Sequence, residues 1–153
     1  MSHSIDIPDN QQTSLRTWLR LLSAGNSVRK DLQSRLLAKH GISLSRFDIL
    51  ANLYRAPEGG IRLSELSRQL MVSNGNVTQV LTPLVKEGLV ERNQCEDDAR
   101  AAVAKLSKKG QHLFEKMAKD HASWVSGIFG NMTPEEQKNL TAILDKIVLS
   151  DNI

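Results

Sequence analysis

The stretch LSELSRQLMVSNGNVTQVLTPLVKEGLVER, residues 63–92, decides the fold. Leu66 and Leu70 mark a short helix, with Ser64 placed to cap it. Met71 and Val72 make the turn. Ser73 then stands at the N-cap of a second helix that runs to about Glu87 and stops at Gly88. Along this second helix Val77, Val80, Leu81, Leu84 and Val85 share one face, and Asn74, Asn76, Thr78 and Gln79 share the other. After Gly88 the period changes from helix to strand. Residues 89–92 read as a strand, 94–100 as a polar turn and 101–106 as the returning strand of a β-hairpin. Two short helices joined by a tight turn and backed by a hairpin make a winged helix-turn-helix.

Upstream, Pro57, Gly59 and Gly60 form a loop, and residues 61–63 are too short for anything but a small strand. Residues 44–55 form a helix capped by Ser43, with Phe47, Leu50, Leu53 and Tyr54 apolar, and Gly41 separates it from a long first helix over about 13–39. That helix carries Leu15, Trp18, Leu19 and Leu22 on one face, and Leu32 and Leu36 resume the stripe. Between them Gly25, Asn26 and Arg29 interrupt it, which fits either a bend or polar contact, or a notch lining a ligand pocket. Residues 1–12, polar with Pro8, read as a flexible arm.

Downstream, Ser107 caps a helix over about 108–129 with a stripe of Leu113, Phe114, Met117, His121, Trp124, Val125 and Ile128. Thr133-Pro134-Glu135-Glu136 is a strong start for a last helix bearing Leu140, Ile143, Leu144, Ile147 and Val148. The class is therefore mainly α (α+β). It is one domain over 13–153, with the winged helix-turn-helix at about 43–106 and long terminal helices at about 13–40 and 108–150. Those terminal helices need a partner for their apolar stripes, and a second copy in a two-fold homodimer supplies it.

Composition narrows the function. The 153 residues are 40% hydrophobic and 24% charged, as expected of a folded domain rather than a disordered chain. The net charge of +3 divides as +3 over residues 1–60, +2 over 61–110 and −2 over 111–153. With an isoelectric point near 9.2, that layout permits a polyanionic partner. At 4% aromatic residues, a stacking platform for single strands is not expected. One cysteine, Cys95, excludes a disulfide framework and a cysteine-rich metal site. With no apolar leader after Met1 and no apolar run of membrane-spanning length, the expected location is the cytoplasm, and no cofactor or metal is expected. No phosphate loop, nucleophile elbow or HExxH motif is present, so catalytic residues are not assigned.

A helix fits the major groove of B-DNA, where Asn and Gln match the donor–acceptor pair of adenine and Thr meets a thymine methyl. Asn74, Asn76, Thr78 and Gln79 are therefore the candidate base readers, with Ser64 and Ser73 offering hydroxyls to phosphates. At the hairpin tip an acid facing DNA would be repelled. Asp97 or Asp98 is thus expected to hold an arginine or the hairpin base, while Arg100 reaches the minor groove.

These residues resemble the MarR family of dimeric bacterial transcription regulators. The resemblance is carried by Leu44-Ser45-Arg46-Phe47-Asp48-Ile49-Leu50, by Leu63-Ser64-Glu65-Leu66, by Val72-Ser73-Asn74-Gly75-Asn76-Val77-Thr78 and by the run from Leu84 to Arg92. The wing Asp98-Ala99-Arg100 and Leu106-Ser107-Lys108-Lys109-Gly110 complete it. The resemblance implies a homodimer on palindromic double-stranded DNA, usually as a repressor released by a small phenolic or aromatic ligand. It assigns the wing-orienting role to Asp98 and the minor-groove role to Arg100. A finer similarity runs through Trp18-Leu19-Arg20-Leu21-Leu22 and residues 70–78. It points to members that control hydroxycinnamate and other aromatic-acid catabolism, some of which respond to an acyl-CoA thioester. The family's pocket lies between the dimer helices and the DNA-binding lobe, which makes Arg16, Trp18, Arg20, Asn26, Asp48 and His121 the ligand candidates. Redox-sensing members carry their cysteine nearer the dimer helices than Cys95. The chain departs from the family at Thr82-Pro83, where an interior proline removes one helical hydrogen bond and predicts a kink. The competing reading is a winged helix that makes only protein contacts.

Overall fold

The computed structural model describes residues 4–98 and 100–147, so Ala99 and Val148 of the sequence reading, and the end of the expected domain, lie outside the described residues. Helix α1 spans Asp9–His40, α2 Leu44–Arg55, strand β1 Ile61–Arg62, α3 Leu63–Leu70 and α4 Asn74–Lys86. Strands β2 (Val90–Gln94) and β3 (Ala102–Leu106) follow, then α5 (Lys108–Ile128) and α6 (Pro134–Leu144). The architecture is mainly helical, with one small antiparallel sheet in the order β1-β3-β2. Val90 pairs with Leu106 and Gln94 with Ala102, while Ile61 pairs with Ala104. No helix among the described residues is long and apolar enough to cross a membrane.

Local chemistry sets most boundaries. Ser43, Ser73 and Ser107 each accept a hydrogen bond from the backbone N–H three residues on, at 3.2, 3.2 and 3.0 Å. Thr133 and Glu136 close a capping box at the start of α6. Gly88, at φ 77°, ends α4 and turns the chain into β2. Met71 adopts φ 57° at the end of α3, which leaves its side chain exposed at the turn.

The core forms where these elements meet. Leu36 from α1, Leu50 from α2, Leu66 from α3, Val77, Leu81 and Leu84 from α4 and Met117 from α5 are fully buried. Helices α3 and α4 are thereby held against α2, and the sheet against α2, α3 and α4.

Two expectations need correction, the start of α1 and the cap of α3. Helix α1 begins at Asp9, so the last four residues of the expected arm are helical; Pro8 is the N-cap and its carbonyl accepts from the N–H groups of Gln11 and Gln12. Helix α1 is assigned without interruption through Gly25-Asn26, across its 32 residues. Ser64 does not cap α3: the helix starts at Leu63, directly after Arg62 of β1, because pairing with β3 fixes the chain up to that point. At Pro83 α4 runs on to Lys86 as one helix with the proline in its interior, and the Pro83 carbonyl accepts from Glu87 N–H at 2.9 Å. Thr82 supports that turn by donating its hydroxyl to the Thr78 carbonyl at 2.7 Å.

Candidate nucleic-acid interface

Helix α4 is anchored on one side and open on the other. Val77, Leu81 and Leu84 are buried, whereas Asn74, Asn76 and Gln79 are exposed and Thr78 is half-buried. The sequence reading grouped all four polar residues, but the structure divides them. The Ser67 hydroxyl lies in hydrogen-bond contact with the Asn74 Oδ1, which ties α3 to the first residue of α4 and commits that oxygen within the protein. The Ser73 hydroxyl oxygen is engaged as the cap. Asn76 and Gln79 are exposed, with no hydrogen bond to either side-chain amide among the described residues, and Ser64 is exposed on α3.

The wing is ordered from within. The Asp98 carboxylate accepts from the backbone N–H of Arg100 at 2.9 Å, and the Asp98 carbonyl accepts from Ala101 N–H at 3.0 Å. Cys95 N–H closes the turn on the Ala101 carbonyl at 2.9 Å. Asp98 therefore holds the backbone of Arg100 and not its guanidinium, leaving that side chain exposed at the tip. Cys95 sits at the base of the turn, where Arg62 Nη2 donates to its sulfur at 3.5 Å.

The ligand candidates separate into two groups. Asp48 lies between two clefts. One, of about 510 Å³, is lined by Arg29, Asp48, Ile49, Leu70, Val72 and Val80, with Asn76 and Gln79 of α4 at its edge. The other, of about 480 Å³, is lined by Phe47, Asp48, Tyr54, Phe114 and His121. Arg29 Nη2 stands 3.5 Å from the Asp48 carboxylate across the first cleft. In the second, the His121 ring stacks on Phe47 with centroids 4.5 Å apart. Burial raises the Asp48 carboxyl above its ordinary range against the pull of Arg29 and His121. Burial also lowers the His121 imidazole, against the attraction of Asp48.

Arg16, Trp18, Arg20 and Asn26 are not brought to this site. All four are exposed, and the first three precede Arg29 by about 14–20 Å along α1 at ~1.5 Å per residue. Asn26 lies a turn from Arg29 and lines neither cleft. Sequence reasoning left Arg29 in the polar gap of α1 and missed it as the cation beside Asp48. The pairing joins two helices, and no local signal in either one carries it.

A helix pair with its second helix open to solvent, followed by an ordered hairpin, defines the winged helix-turn-helix class. The comparisons narrow the class. A model of the MarR family matches residues 42–102. The HTH-type transcriptional regulator YkoM of Bacillus subtilis is 32% identical over 109 residues, 71% of this chain and 69% of that protein. A crystal structure of a MarR family transcriptional regulator from Silicibacter pomeroyi is 31% identical with a TM-score of 0.77, covering 91% of this chain and 95% of that one. A mutant MarR from Escherichia coli complexed with operator DNA shares the fold at a TM-score of 0.78 and 23% identity, over 94% of this chain and all of that one, 100%. The chain belongs to the MarR family, and these relatives are transcriptional regulators, not enzymes.

Proposed function

We propose that the protein is a DNA-binding transcriptional repressor that acts as a two-fold homodimer on a pseudo-palindromic operator. One observation carries the proposal: α4 is locked by Val77, Leu81 and Leu84 while Asn76 and Gln79 stand free on its outer face. A rigid helix presenting bidentate amides is what base readout in the major groove requires. The Escherichia coli relative, solved with operator DNA, supports the same use of the fold. Support for the dimer comes from the apolar residues that neither end of the chain covers. Trp18 and Leu19 on α1 are 53% and 59% exposed, and Ile143 on α6 is 58% exposed.

The effector in this proposal is an aromatic acid or its CoA thioester. The cleft beside Asp48 suits such a molecule, with Arg29 for an anionic end and Ile49, Leu70, Val72 and Val80 for an apolar ring. Because the same cleft reaches Asn76 and Gln79, an occupant there acts on the reading helix directly. It releases DNA only if it binds the free form more tightly than the bound form.

Fluorescence anisotropy with the DNA upstream of the gene, at stated salt, tests both parts. Asn76→Ala and Gln79→Ala should each reduce discrimination between operator and random duplex by about 1–3 kcal/mol, with little change on random duplex. Equal losses on both duplexes would show that neither residue reads bases. No affinity for either duplex would leave the protein-contact reading in its place. Repeating the titration with hydroxycinnamates, benzoates and their thioesters should lower operator affinity with at least one of them; no change with any would remove the aromatic effector.

A further inference from the structure

Ser67, at 5% exposure, is the one polar residue buried among the described residues. Burying a hydroxyl is costly unless it is hydrogen-bonded. Two oxygens face this one: the Ser64 carbonyl in α3, at 2.9 Å, and Oδ1 of Asn74, the first residue of α4. A hydroxyl has a single proton to give. The Ser64 carbonyl lies within α3, where the helical pattern already offers it a backbone N–H. Asn74 Oδ1 has no other donor among the described residues. Two oxygens in contact repel each other unless a proton lies between them, so the proton of Ser67 goes to Asn74.

That bond decides which end of the Asn74 amide faces outward. The amide is planar, so holding its oxygen against α3 turns its NH2 group away. Asn74 is exposed, and its Nδ2 has no partner among the described residues. Asn76 and Gln79 have no such internal contact and keep both a donor and an acceptor. In the major groove a free amide matches adenine, which presents one acceptor and one donor. An amide with only its NH2 to offer meets an amine at adenine N6 and at cytosine N4. Guanine presents two acceptors there, N7 and O6, and thymine one, O4.

We propose that Ser67 makes Asn74 a donor-only base reader, which selects guanine at its position in each half-site. The inference rests on the DNA-binding function proposed above. The N-terminal residues of a recognition helix are the ones that meet base edges, and Asn74 opens α4. Ser67 is a positioning residue, since it acts on DNA only through the amide it holds.

The test is selection from a randomised duplex pool, followed by affinities for the selected operator, its single-base variants and random duplex. It compares the full-length protein with Asn74→Ala, Asn74→Asp and Ser67→Ala. The wild type should favour guanine over adenine roughly ten-fold at one position per half-site, and Asn74→Ala should abolish that preference alone. Replacing that guanine by 7-deazaguanine, which lacks the N7 acceptor, should weaken the wild type and leave Asn74→Ala unaffected. Ser67→Ala frees the amide and should move the same position towards adenine. Asn74→Asp presents an oxygen outward and should move it towards cytosine, whose N4 amine donates. A lower melting temperature in Ser67→Ala with the base preference unchanged would make the hydroxyl purely structural and overturn the proposal. A preference for adenine or cytosine in the wild type at the position Asn74→Ala affects would overturn it by showing the opposite polarity. Equal losses of Asn74→Ala on operator and random duplex would overturn it in favour of a phosphate contact. Each of these results leaves the DNA-binding function in place. If the wild type bound no duplex, the function and the donor-only reading would fall together.

Discussion

Trp18→Glu combined with Leu22→Glu is expected to convert a dimer into a monomer and reduce operator affinity by two or more orders of magnitude. Leu15, Trp18, Leu19 and Leu22 recur at the spacing of one helical face, yet all four are exposed in the single chain. Covering side chains of this size yields ~1.5–3 kcal/mol each, enough in sum to drive association. A glutamate in that face opposes it twice, since each charge would be buried unpaired in both copies. The affinity loss follows from losing the second reading helix, because linking two half-site contacts adds roughly 10²–10⁴ in avidity. The fold should survive, since the buried residues of α1 are Leu32 and Leu36, far from the substituted turn. Sedimentation velocity at micromolar concentration decides: a variant that still sediments as a dimer would place the interface elsewhere.

Gly110→Ala is expected to lower stability by about 2–3 kcal/mol. Gly110 lies in the first turn of α5, and a Cβ there would meet the Leu89 carbonyl oxygen at 2.0 Å and its carbon at 2.9 Å. That oxygen cannot retreat easily, because it accepts from Ser107 N–H at 3.0 Å and Leu89 is buried. Alanine's helix propensity returns only ~1 kcal/mol, less than an overpacked backbone contact costs. Gly127 in the same helix has nothing within 4 Å of its Cβ position, so Gly127→Ala should stabilise by up to ~1 kcal/mol. Denaturant unfolding of the two variants should therefore give opposite signs. A shared sign would mean that the approach of α5 to Leu89 does not constrain the fold.

The helix starts that could be read from sequence are those written into a few adjacent residues. Ser43, Ser73, Ser107 and Thr133 each cap within one turn, and each capping bond is present. The start of α3 followed a different rule. Ser64 had the chemistry of a cap, but pairing of Ile61 with Ala104 set the boundary from a strand about 40 residues away in sequence. Pro8 followed by Asp9 was a local start signal for α1 that the lack of apolar periodicity concealed. At the interface, period alone separated Val77, Leu81 and Leu84 from Asn76 and Gln79. It did not show that Ser67 engages the Asn74 oxygen, because that contact depends on how α3 crosses α4. The cleft at Asp48 was partly legible: Asp48 and His121 were singled out, but Arg29 meets Asp48 only once α1 and α2 are packed. Arg16 and Arg20 flank Trp18 in sequence and so suggested a pocket, but that part of α1 faces solvent in the single chain.

Nuclease footprinting of the upstream DNA tests the central claim most directly. A two-fold dimer with one reading helix per chain predicts two protected half-sites related by a dyad and centred about one helical turn, ~10 bp, apart. Protection of a single unpaired half-site, or none at concentrations where the protein is dimeric, would contradict it.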